Sequence, residues 1–146
     1  VKLPTLEQLE DAAQRARSSR RDLGGTSGCE MSDRFERGIE LFNEGRYFEC
    51  HEVWEEAWKR SSGDEKLFHQ GLIQGAVAIL HAERGNFDGA ASLYDKSRAK
   101  LDPLPAECAG VALGELRAAL REFFDAVLSA RSNSLPPRPK IRRCNV

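Results

Sequence analysis

Gly45-Arg46-Tyr47-Phe48-Glu49-Cys50-His51-Glu52-Val53-Trp54 and Gly85-Asn86-Phe87-Asp88-Gly89-Ala90-Ala91-Ser92-Leu93-Tyr94 lie 40 residues apart and align position by position. Glycine falls on glycine, Tyr47 on Phe87, Cys50 on Ala90, Val53 on Leu93 and Trp54 on Tyr94. Each glycine stands where a left-handed residue ends one helix. Each small residue stands where the next helix needs a close approach. The period, roughly 34 to 40 residues, is that of a tetratricopeptide-like helix-turn-helix. Two such units are too few for a long solenoid, so they predict a compact bundle.

The flanking sequence extends this reading. Ser32 is a good N-cap for a helix over about 33–44, with Phe35, Ile39 and Phe42 on its apolar stripe. A second helix is predicted over about 47–60, with Cys50, Val53, Trp54 and Ala57 inward. Ser61-Ser62-Gly63 ends it and Asp64 caps a third, about 65–83. That third helix is apolar nearly all round, which predicts a central position. Gly71 and Gly75 let a neighbour come close. Asn86 caps a fourth helix, about 87–101, and Asp102-Pro103-Leu104-Pro105 breaks the chain. A fifth, about 107–130, carries Leu116, Leu120, Phe123 and Phe124. No segment alternates as a strand does. The expectation is an all-α compact bundle of about five core helices, with two stacked hairpins, over residues 32–131. Residues 1–31 read as an N-terminal extension and linker with a short helix at 5–17. Met31, the single methionine, is where the natural domain is expected to begin. Residues 132–146, with Pro136, Pro137 and Pro139 among basic residues, read as a disordered tail.

Composition narrows the class. The 146 residues suit one domain. Hydrophobic residues make up 40% and charged residues 31%, a balance that excludes a disordered chain. The 22 basic and 23 acidic side chains leave a net charge of −1, which supplies no field for nucleic acid or anionic lipid. No apolar run approaches the roughly 18 residues that span a bilayer. Val1-Lys2-Leu3-Pro4-Thr5 lacks the apolar stretch of a secretory signal. Cys29, Cys50, Cys108 and Cys144 match no zinc or redox spacing, with Cys50 and Cys108 placed on helices and Cys29 and Cys144 in tails. These features predict a cytoplasmic, soluble protein with reduced thiols, and neither a nucleic-acid nor a membrane partner.

The positions where the repeat fails carry the functional signal. His51 falls on Ala91, Glu52 on Ser92 and Trp58 on Arg98. At about 100° per residue, Glu55 lies about 40° from His51 and Trp58 about 20° to its other side. Glu52 points about 100° away, to the edge of the face. The third helix adds Gln70, Gln74 and His81, which an antiparallel neighbour can meet. Three readings compete. A His–Glu pair at i,i+4 with buried amides can satisfy itself across a helix seam. A pocket lined by Trp58, with His51, Glu52, Glu55, Gln70 and Gln74 as polar groups, fits a small-molecule or protein site. Finally, His51 and Glu55 with His81 have the makings of a metal site. A divalent ion there would support hydrolysis with Glu52 as general base. The spacing departs from both His-Glu-x-x-His and the Glu-x-x-His of di-metal bundles. His69 reads as a helix-flank residue.

The run Phe35-x-x-Gly38-Ile39-x-Leu41-Phe42-Asn43-x-Gly45-x-Tyr47-Phe48-x-Cys50-His51-Glu52-Val53-Trp54-Glu55-x-x-Trp58 resembles the hallmark of domain-of-unknown-function family three hundred and nine. Phe68-x-Gln70-Gly71-Leu72-Ile73-Gln74-x-Ala76 and His81-x-x-x-Gly85-Asn86-x-x-Gly89-Ala90 continue the likeness, which covers roughly residues 33–102. Cys50 departs from it, since the family commonly carries alanine there. The resemblance implies a small all-helical domain and draws attention to the same His, Glu, Trp and Gln residues. It implies no activity. The reading that follows is a ligand- or protein-binding module without a required cofactor; the alternative is the metal-dependent hydrolase.

Overall fold

The structure, a computed structural model, describes residues 28–131 and 134–144. It is built of α1 (Gly28–Asn43), α2 (Tyr47–Lys59), α3 (Gly63–Glu83), α4 (Phe87–Leu101) and α5 (Leu113–Ala130). A short hairpin, β1 (Glu107–Cys108) with β2 (Val111–Ala112), precedes α5. Each helix packs on the next in the chain, with the α3–α4 pairing the most extensive. The predicted extension at 1–31, with its helix at 5–17, lies outside the described residues up to position 27. From Gly28 onward the chain is helical, so Ser32 lies inside α1 rather than at its N-cap.

The 40-residue repeat is a repeat of backbone geometry. Gly45 and Gly85 have φ of +80° and +78°. The Gly45 N–H donates to the Phe42 carbonyl at 3.0 Å and the Arg46 N–H to Leu41 at 2.9 Å. Forty residues later the Gly85 N–H donates to Ala82 at 3.1 Å and the Asn86 N–H to His81 at 2.9 Å. Both are Schellman closures, in which a left-handed glycine lets the last carbonyls of a helix find donors. Asn86 then caps α4 by accepting from the Gly89 N–H at 3.1 Å. Tyr47, Cys50, Trp54, Ala90, Leu93 and Tyr94, from both copies, are all buried.

Close approach sets the helix spacing. A Cβ at Gly71 would stand 2.6 Å from Leu101 Cδ2, and one at Gly75 would stand 3.2 Å from Ser97 Oγ. The buried Ser97 hydroxyl uses that proximity to donate to the Gly71 carbonyl at 2.6 Å. Between α1 and α2, a Cβ at Gly38 would collide with Trp54 Nε1. The Trp54 indole fills that gap, donating to the Phe35 carbonyl at 3.2 Å and stacking between Phe35 and Phe42.

Two expectations need correction. The fifth helix was expected from about 107, but Glu107–Ala112 forms the hairpin, so Cys108 lies on a strand. Ala109 and Gly110 turn it with φ of +50° and +76°, the two left-handed residues of a tight primed turn. The C-terminal segment is not a loose tail over 134–144. Arg143 bridges Val111, the Ala112 N–H donates to the Arg142 carbonyl at 2.9 Å, and the Cys144 N–H donates to Gly110 at 2.8 Å. Ile141 is buried, and its backbone exchanges two hydrogen bonds with the Asn43 side chain, at 2.8 and 3.0 Å. Arg142 pairs with Glu115, Arg143 with Glu36 and Arg138 with Glu83. Prolines deny this strap a helix, and the hairpin and α1 supply its partners instead.

Candidate functional site: the α2–α3 seam

On α2 the stripe Tyr47, His51, Trp54, Trp58 follows i, i+4, i+7, i+11 spacing and is buried along its length. Trp54 is fully satisfied, as described above. Trp58 is not: it is 3% exposed, and its Nε1 has no hydrogen-bond partner. Lys66, at the start of α3, lies 5.3 Å from the Trp58 ring, and α3 packs on α2 beyond it. His51 is 7% exposed; its Nε2 faces Glu55 Oε2 at 3.5 Å while its Nδ1 is orphaned. Burial pushes the His51 pKa down against the pull of Glu55 and Glu52, so the imidazole is neutral near pH 7.

The other predicted site residues distribute as follows. Glu55 is half-buried beside His51 and also faces Lys59 at 3.7 Å. Glu52 is exposed, at the edge, as the helical geometry requires. On α3, Gln70 is half-buried and Gln74 is 4% exposed, with its Oε1 unpartnered. His81 belongs elsewhere: its Nδ1 accepts from Asn86 Nδ2 at 3.1 Å in the last turn of α3. Among the described residues no group of three or more His, Cys, Asp or Glu side chains comes together that could hold a metal ion. The set His51, Glu55 and His81 is thus not assembled, because His81 is turned to the α3–α4 connection.

Two further residues share the unpartnered state. His69, read as a flank residue, is buried against Phe35 and Phe68, with Nε2 3.6 Å from Glu65 and Nδ1 orphaned. Its spacing to Ile73, Ala76 and Leu80 along one stripe was the available signal. Tyr47 was read as packing only, yet its buried hydroxyl also lacks a partner. All the buried side-chain polar atoms left unpartnered among the described residues, on Tyr47, His51, Trp58, His69 and Gln74, belong to α2 or α3. Buried polar groups are nearly always hydrogen-bonded, so these five stand out from the rest of the core.

A family model described as Domain of unknown function (DUF309) matches residues 35–93, from the first buried ring of α1 into α4. Residues 35–93 are a DUF309 domain. The DUF309 segment contains every orphaned atom of the seam. Over 100 residues the chain is 31% identical to an "Uncharacterized protein" of Aquifex aeolicus (strain VF5), covering 68% of this chain and 29% of that protein. Over 52 residues it is 46% identical to "Uncharacterized protein YpuF" of Bacillus subtilis (strain 168), covering 35% of this chain and 30% of that protein. The chain thus spans less than a third of the length of either relative. No helix among the described residues is long and apolar enough to cross a membrane.

Proposed function

We propose that this chain is a binding module, working in the cytoplasm, whose α2–α3 seam takes up a polar small molecule or protein segment. The observation that carries this reading is the group of buried, unpartnered polar atoms on those two helices. Trp58 Nε1 offers a donor, Gln74 Oε1 an acceptor, and the neutral His51 Nδ1 either role according to its tautomer. Glu55 and Gln70, half-buried on the same two helices, are the more accessible polar groups of the set. A pure scaffold gains nothing from leaving such atoms unsatisfied, since each costs about 1–3 kcal/mol. A site that must later bond a partner accepts that cost in the free state.

The cost also supplies the test. Gln74→Met keeps size and shape while removing the orphaned amide. In urea unfolding the free variant should be more stable than wild type by about 1 kcal/mol. In pull-downs it should lose whatever the wild type captures specifically. A lower unfolding midpoint would show that Oε1 is already satisfied internally. An unchanged captured set would remove Gln74 from the interface, and either result overturns the reading.

A further inference from the structure

Apart from the seam, and outside residues 35–93, a groove of about 360 Å³ runs between α4 and α5. Its size lies within the range of small-molecule sites, roughly 300–1,000 Å³. Three guanidinium groups line it, on Arg98, Arg117 and Arg121, against a single carboxylate, Asp102. Asp95 pairs with Arg98, and Asp125 acts on Tyr94 beside it, so the guanidinium excess is confined to the lining itself.

The three arginines are held differently. Arg117 is half-buried, and its Nη1 donates to the Leu101 and Leu104 carbonyls at 2.8 and 2.7 Å. Those bonds satisfy the end of α4 and orient the guanidinium, leaving Nε and Nη2 without a hydrogen bond to any described residue. Arg98 pairs with Asp95 at 3.1 Å and lies 5.4 Å from the Tyr94 ring. Arg121 is exposed and has no hydrogen-bond or ion-pair partner among the described residues. Tyr94 forms a rigid flat wall, stacked on Phe124 with centroids 4.3 Å apart. A fork already fixed, a second cation unpaired and a flat wall beside them are the parts of an anion site. Guanidinium forks match phosphate oxygens two at a time.

We infer that the α4–α5 groove binds a phosphorylated small molecule, its dianionic phosphate among Arg98, Arg117 and Arg121 and its carbon skeleton against Tyr94. The experiment is an amide-resolved NMR titration of the full chain with glycerol 3-phosphate, with inorganic phosphate and uncharged glycerol alongside. Saturable shifts confined to α4 and α5 are expected for glycerol 3-phosphate, weaker ones for phosphate, and none for glycerol. Arg121→Gln removes an exposed side chain with no internal partner, so the fold is not at stake. It should weaken binding about tenfold, the loss expected for one charged hydrogen bond. Arg37→Gln, exposed on α1 and no part of the groove's lining, should leave binding intact. Absence of saturation, equal weakening by Arg37→Gln, or full binding by Arg121→Gln would each overturn the assignment.

Discussion

At His51 and His69 the same arrangement occurs twice: an imidazole buried on one side, with a carboxylate one turn away at 3.5 and 3.6 Å. Both rings have pKa values below the usual 6.5, chiefly through burial, with Glu55 and Glu65 opposing. His81 shifts the same way, through burial and Arg84. The unfolded chain therefore takes up protons first as pH falls. The stability these neutral rings contribute is complete above 6.5 and is lost progressively as pH drops from 6.5 toward their folded-state values. Urea midpoints measured across that window should fall on the acid side, and His69→Phe should flatten the fall. A midpoint independent of pH between neutrality and mild acid would mean that the rings protonate freely in the fold.

At the level of elements, two glycines on one helix make a graded comparison. Gly71→Ala drives a methyl into Leu101 and should destabilise by about 1–3 kcal/mol, as overpacking does. Gly75→Ala meets the Ser97 hydroxyl at 3.2 Å and Leu120 Cδ1 at 3.8 Å, an ordinary contact. Its gain in helix propensity, about 1 kcal/mol, should leave it near neutral. Chemical denaturation of the two variants checks the order, and equal effects would refute it. The helices were legible because their signals are local: C′ glycines, the Asn86 cap and an apolar period. The β1–β2 hairpin was not legible. Each strand has two residues, and Ala109-Gly110 lacks the Asn-Gly or Asp-Gly mark of such turns. The seam was half legible. Helical spacing placed His51, Glu55 and Trp58 on one face, but whether Trp58 Nε1 or Gln74 Oε1 finds a partner depends on neighbouring helices that spacing cannot position. Gly38 shows the same limit from the other side: a glycine inside a helix signals close packing without saying that Trp54 fills the space.

Across the whole molecule, the strap at 134–144 joins parts that the helix order leaves apart. Asn43 and Ile141 are 98 residues apart in sequence and hold each other by two hydrogen bonds. Asn43→Ala should cost about 1–3 kcal/mol for those bonds. The Ala112 and Cys144 amides, which bond across the same junction, should then exchange hydrogen faster. Unchanged exchange at both would show that Ile141 and the arginine pairs suffice. The strap escaped the sequence reading because three prolines and a run of arginines look the same whether solvated or docked. Its acceptors come from Gly110, Asn43 and the glutamates of α1, α3 and α5. During synthesis, positions 141–143 emerge only after all five helices have left the ribosome. Until then Val111 and the end of α1 have no cover, so the junction they form with Ile141 and Arg143 is the last long-range contact that synthesis permits.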